Sequence, residues 1–251
     1  MLIISQIFLE NLIKDKFFVF VFFSGIIFGF TSIIFNEISY GANEFIVRSF
    51  SFGFLSILTN FLSIYFGLTM IHGDDMRNSM KILLCKPLYR FELVLAPVFA
   101  FSIGLMLALI IVILEFMFLF KFYGVEVKFS YSFSVLGIFF EGVILFLLSM
   151  LFRSFANGLI STLIVSCLYV FGHTHQELLA LSFVDRSPLL KNGIVISSKI
   201  LPDFTFFNLK HTLYNSVFKS DLLINSSLYF LICLIVIAFS LVIIFSRKDY
   251  H

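Results

Sequence analysis

The sequence predicts an all-α membrane protein with six transmembrane helices. Three observations carry this. Of 251 residues, 60% are hydrophobic and only 13% charged, where soluble domains carry about a quarter charged residues. Mean hydropathy is +1.07. The apolar residues also fall in runs near the ~20 residues needed to cross a bilayer, separated by short polar stretches. No internal repeat or linker divides the chain, so 1–251 reads as one membrane domain.

Residues 1–15, "MLIISQIFLENLIKD", read as an amphipathic helix lying at the interface with its apolar side in lipid. Gln6, Glu10 and Lys14 are four apart and share one face. Spans are expected at about 16–35, 50–71, 93–120, 133–152, 155–172 and 222–246. "NEISYGANE" and "KFYGVEVKFS" are read as loops and "RSFAN" (153–157) as a tight turn. The mixed segment 173–221 is expected to form short extracytoplasmic helices dipping into the outer leaflet. No basic region precedes the first apolar run, which is not read as a cleavable leader.

Six spans put both termini on one side. Lys14, Lys16, Arg77, Lys81, Lys86, Arg90, Arg153, Arg247 and Lys248 then share that side. The short loop 72–92 and the tail dominate the positive-inside count, which makes both termini cytoplasmic.

That loop, "HGDDMRNSMKILLCKPLYRFE", holds seven charged residues in twenty-one. Over 74–85, Met76, Met80, Leu83 and Leu84 form a helical stripe. Asp74 and Asp75 sit where a helix N-terminus favours anions, and Pro87 ends the helix. A short amphipathic helix along the cytoplasmic face is expected. Its polar side faces either water or a partner.

The segment resembles the permease subunits of ABC exporters of the ABC-2 type. After their second span these carry an acidic residue, then a Gly-Thr/Ser, then "L-x-x-L-L-x-x-P-[VLI]-[ST]-R-x-[ED]-[ILF]-[VL]-x-[GA]-K". Here the same spacing reads Asp75, Asn78-Ser79-Met80, Leu83-Leu84, Pro87-Leu88-Tyr89-Arg90, Glu92-Leu93-Val94 and Ala96. Asn78, Tyr89 and Pro97 depart from the usual Gly, Ser/Thr and Lys. "LPDFTFFNL" (201–209) resembles the family's "LPN-x-x-x-FNL", and "FSRKDYH" its basic tail. The resemblance implies that 72–92 holds a cytoplasmic coupling helix between spans two and three. It would dock in a groove of a separate ATPase subunit through Asp74, Asp75, Arg77, Asn78, Lys81, Leu84, Pro87, Arg90 and Glu92. It also implies a dimer, with itself or a related permease, in a bacterial or archaeal plasma membrane. No G-x-x-x-x-G-K-[ST] loop is present, so ATP and Mg are expected on the partner ATPase, with no cofactor in this chain.

Polar residues within spans are the candidate pathway groups: Asn60, Glu115, Glu141, Ser161 and Ser166. A carboxylate near the bilayer centre costs about 2.5–3.5 kcal/mol on insertion scales. Glu141, in "GIFFEGVILF", should therefore face protein or a cavity; it reads as a substrate or proton contact or as a packing residue. Glu115, in "VILEFMFLFK", is close enough to Lys121 for a snorkelled arrangement at the interface. Asn60, Ser161 and Ser166, with Ser56, Ser63 and Thr162, either line a path or join helices by hydrogen bonds.

"GHTHQE" (172–177) would align His173 and His175 on a strand and separate them on a helix. With Glu177 they fall short of a metal-ligand set, so the stretch reads as a polar exit loop. Cys85, Cys167 and Cys233 lack CxxC spacing and read as packed thiols. A net charge of +2 gives no nucleic-acid signature, and no catalytic constellation appears in the spans. The 38 phenylalanines read chiefly as lipid-facing filler. Two other classes stay open: a non-transporting membrane scaffold that keeps the charged loop, and an ATP-independent secondary transporter. The latter is disfavoured by the absence of broken spans in corresponding halves.

Overall fold

A computed structural model describes residues 2–14, 16–38, 43–70, 90–122, 131–181, 188–209 and 220–247. Eight α-helices and one 3₁₀ turn account for most of these. They are α1 (Leu2–Lys14), α2 (Phe17–Ile38), α3 (Asn43–Thr69), α4 (Arg90–Phe122), α5 (Tyr131–Arg153), α6 (Gly158–Leu179), α7 (Pro188–Ile200), the turn Phe204–Phe207, and α8 (Ser220–Arg247). Five helices are long and apolar enough to cross a membrane by length and composition: α3 from Arg48, α4, α5, α6 and α8. In α2 the described apolar stretch is Val19–Thr31. The protein is therefore a helical, multi-pass membrane protein. The expected helix over 74–85 and most of the loop over 121–130 lie outside the described residues.

The centre of the bundle is α5. Ten consecutive residues, Glu141–Met150, are buried, so this helix meets protein on every side, as its all-round apolar sequence requires. Its closest neighbour is α3, and two glycines set their separation. A side chain at Gly142 would come within 2.6 Å of the Thr59 methyl and 2.9 Å of Leu105. One at Gly67 would come within 2.6 Å of the Phe146 carbonyl oxygen. Small residues at such crossings let helix backbones approach and gain van der Waals contact, the main attraction left once lipid removes the hydrophobic drive. Around this seam Phe101 stacks on Phe146 with centroids 4.2 Å apart. Phe140 stacks on Phe230 of α8 at 4.3 Å.

The first helix corrects one expectation. Its apolar face rests on protein as well as facing outward: Phe8 and Leu12 are buried, and Leu12 lies against Gly104 of α4. Gln6 and Glu10 remain exposed, as their spacing predicts. Lys16, with φ 54°, turns the chain into α2. Helix α4 has 33 residues and runs unbroken through Pro97. At 1.5 Å per residue this is about 50 Å, longer than a ~30 Å hydrocarbon core. Pro97 is the eighth residue of the helix and removes one backbone hydrogen bond, the one the Leu93 carbonyl would accept; membrane-spanning helices tolerate this where neighbouring groups satisfy the freed carbonyl.

The "RSFAN" stretch is the tight turn its composition predicts. Ser154 and Phe155 N–H groups donate to the Leu151 and Phe152 carbonyls, and the Arg153 guanidinium donates to the Ala156 carbonyl at 3.2 Å. Helix α6 runs further than expected, to Leu179, so "GHTHQE" occupies its last turns and is not an exit loop. Phenylalanines fill both environments. Phe101 and Phe146 are buried, while Phe23, Phe30 and Phe239 lie on the outside of the bundle with well over half their surface exposed.

Candidate functional site

The buried polar groups converge where α3, α5 and α6 meet. Glu141 of α5 is 3% exposed. Its Oε1 lies 3.3 Å from Nε2 of His173 on α6. One turn earlier on α6, Tyr169 points its hydroxyl at Glu141 and at Ser56 and Asn60 of α3. The Tyr169 and His173 rings meet edge to face at 4.7 Å, and Phe204 lies against both. Asn60 is 8% exposed, and its Oδ1 has no hydrogen-bond partner. The result is a carboxylate, an imidazole, a phenol and a carboxamide at one junction of three helices.

Local sequence explains the convergence. Tyr169 and His173 are four apart and so share one face of α6. Gly142, the residue after Glu141, lets α3 approach closely enough for Asn60 to join the group. By contrast, the Thr59 and Ser63 hydroxyls turn back onto their own helix, donating to the Leu55 and Thr59 carbonyls at 2.7 Å each. They contribute to packing rather than to the cluster. A carboxylate in hydrocarbon is costly unless it is paired or hydrogen-bonded, and Glu141 has such partners. Chemically, the Glu141 carboxylate can accept a hydrogen bond from the His173 ring nitrogen. The unpartnered Asn60 amide oxygen can accept a donor.

Directly beyond lies a second polar knot built on 201–209. Gly172 of α6 and Gly137 of α5 leave room for it. A side chain at Gly172 would strike the Phe204 ring and come within 2.8 Å of the Pro202 carbonyl oxygen; one at Gly137 would strike the Phe207 carbonyl. Asp203 accepts from the Thr205 N–H at 2.9 Å and from its hydroxyl. The other oxygen, Oδ2, lies 3.4 Å from His175 Nε2. The Asp203 N–H donates to the Tyr229 hydroxyl of α8 at 2.7 Å. Ser134 donates to the Leu209 carbonyl at 3.1 Å, and Ser226 to the Phe206 carbonyl at 2.6 Å. The segment is thereby tied to α5, α6 and α8; its Phe204 ring is buried against Tyr169 and His173, and its Phe207 ring is buried beside Phe140 and Tyr229.

The five candidate pathway residues are not one group. Asn60 and Glu141 both lie beside the Tyr169 hydroxyl. Ser161 is fully buried and donates to the Ala156 carbonyl at 3.3 Å, closing the α5–α6 turn. Ser166 is half-buried on α6, three residues before Tyr169. Glu115 lies elsewhere, between α2 and α4. Both its carboxylate oxygens are buried without a hydrogen-bond partner, and Lys121 does not pair with it. The two histidines of "GHTHQE" diverge on the helix, His173 to Glu141 and His175 to Asp203. No cluster of three or more metal-ligating side chains occurs among the described residues. Of the docking residues implied by the resemblance, Asp74 through Pro87 lie outside the described residues. Arg90 and Glu92 open α4, with Glu92 in the first turn.

Tyr169 is the group that sequence reasoning missed. Its signal was there in the i, i+4 spacing with His173 inside an apolar run. A tyrosine in such a run reads as core, however, until the facing helix supplies a carboxylate.

No protein-family model matches the chain, and no curated protein matches it.

Proposed function

We propose that the chain is the membrane-spanning permease subunit of an ATP-driven exporter of the ABC-2 type. It has six spans with both termini cytoplasmic and works as a dimer in a bacterial or archaeal plasma membrane. A separate ATPase subunit, which binds ATP and Mg, docks on 72–92. The observation that carries this reading is the pattern from Asp75 to Ala96, in which acidic, Leu-Leu, Pro, Arg and Glu positions recur at the spacing of that family's coupling segment. Two structural features support it. The buried junction of Glu141, His173, Tyr169 and Asn60 gives the bundle a polar interior that packing alone does not require. The 201–209 segment, also part of the resemblance, folds back over that junction as a closure.

ATP binding would draw the ATPases together and carry the docked segments with them, rocking α3 and α4, which flank the segment. The junction then lies on the element that moves, because α3 supplies Asn60 to it.

The test is a mild-detergent pulldown of the tagged protein from its native cells, with the copurifying chains identified. A stoichiometric ATPase is expected, and Arg77→Glu with Lys81→Glu should release it while the membrane domain stays folded. A well-folded sample that brings down no ATPase would overturn the exporter reading and leave a scaffold or an ATP-independent transporter.

A further inference from the structure

The flank formed by α2 and α4 carries a groove of about 550 Å³. Phe22, Ile26 and Phe30 of α2 make one wall; Leu114, Phe118 and Leu119 of α4 make the other. Phe30 and Phe118 are 64% and 73% exposed, so the groove opens sideways, away from the bundle. Its floor is Gly25 and Gly29. A side chain at Gly25 would land on the Glu115 carboxylate, and one at Gly29 would lie 3.0 Å from Leu119. Absence of side chains on α2 is thus what lets Glu115 reach across and lie in the groove.

The two glycines have the spacing of a helix-pairing motif. Yet α4's own Glu115 and Leu119 already cover them, so no foreign helix can use them without displacing those side chains. An ordinary acyl chain could cover the apolar walls, but it would leave a buried carboxylate with both oxygens unpartnered. An occupant that satisfies both parts of the groove has an apolar tail for the phenylalanine walls and a cationic N–H donor for Glu115. The aromatic walls favour a cation further. Glu115 lies six residues before Lys121, near the end of α4; at 1.5 Å per residue that is about 9 Å along the axis. An amphiphile seated there keeps its head close to the interface.

We propose that this groove binds a lipophilic cation, an alkylamine in its protonated form, with Glu115 as its counter-ion. The site is separate from the Glu141 junction, and the proposal holds whether or not the chain works with an ATPase.

The chain contains no tryptophan, so a single introduced indole reports on one place. Phe118→Trp would be placed in nanodiscs of zwitterionic lipid and titrated with 12-bromododecylamine, 12-bromododecanol and 12-bromododecanoate as quenchers. The amine should quench at least tenfold more effectively than the other two. Glu115→Gln in the same background should abolish that preference, and Glu115→Asp should retain part of it. A tryptophan at Ile235, on the exposed face of α8, should show no preference. Phe30→Trp replaces Phe118→Trp if the latter does not fold. Equal quenching by all three probes would reduce the groove to a lipid seat, and a preference that survives Glu115→Gln would remove Glu115 from it. Either result overturns the proposal, as would a disulfide between two copies carrying Phe118→Cys in a cysteine-free background, which would seat a second copy there.

Discussion

Glu141 and Glu115 are the same side chain placed in two apolar helices of one bundle, with opposite surroundings. Glu141 lies where three helices meet, 3.3 Å from His173 and facing Tyr169. Glu115 lies between two helices on the flank, over the Gly25 backbone, and neither of its oxygens has a hydrogen-bond partner. The first is held by two partners from one other element, α6. The second is held by the absence of a side chain on α2. A carboxylate in hydrocarbon therefore indicates different things according to what faces it. With partners it ties helices together; without them its cost is left uncompensated by the chain.

Glycine substitutions break this comparison most sharply. Gly142→Leu forces α3 off α5 against Thr59 and Leu105 and should cost about 3 kcal/mol or more. At Gly25 an added Cβ meets the tip of a flexible glutamate, so Gly25→Leu should cost under ~1 kcal/mol. Both are read from the midpoint of SDS-driven unfolding; equal losses would mean that the flank is packed as rigidly as the centre.

Alanine at the two acids gives a smaller contrast of opposite sign. Glu141→Ala leaves His173 and Tyr169 facing a void and should destabilise by about 2–3 kcal/mol. Glu115→Ala removes an unpartnered group and should be neutral or stabilising by about 1 kcal/mol. A double-mutant cycle of Glu141 with His173 should show coupling of about 1 kcal/mol, and none for Glu115 with Lys121. The most local effect belongs to the closure: Tyr229→Phe removes the acceptor of the Asp203 N–H and should cost about 1 kcal/mol. Hydrogen exchange should quicken at 203–205 and stay unchanged in α5.

The sequence exposes the helices and their turns well. The apolar runs mark α3, α4, α5, α6 and α8 to within a few residues, except where α3 begins earlier, at Asn43, and α6 ends later, at Leu179. Both misses have one cause. Polar residues such as Asn43, Glu44, His173 and Glu177 end a hydropathy run, yet a helix continues through them wherever its backbone bonds are satisfied. Asn60 and Glu141 are visible as costly residues in apolar runs, but their convergence on Tyr169 is not. Pairing depends on the rotation of α3, α5 and α6 about their axes, and Gly67 and Gly142 fix how closely α3 and α5 approach.

By itself the sequence determined that this chain is helical, that it lies in a membrane, and which residues are expensive there. Hydrogen-bond closure within each helix and the transfer cost of each side chain are local properties, and a linear pattern records them. Only the tertiary structure decided which expensive residues are compensated. It sent His173 to Glu141 and His175 to Asp203, folded 201–209 over Gly137 and Gly172, and left Glu115 facing a groove. Those outcomes depend on distances of a few ångströms between side chains far apart in the chain, set by how closely glycines allow the helices to approach.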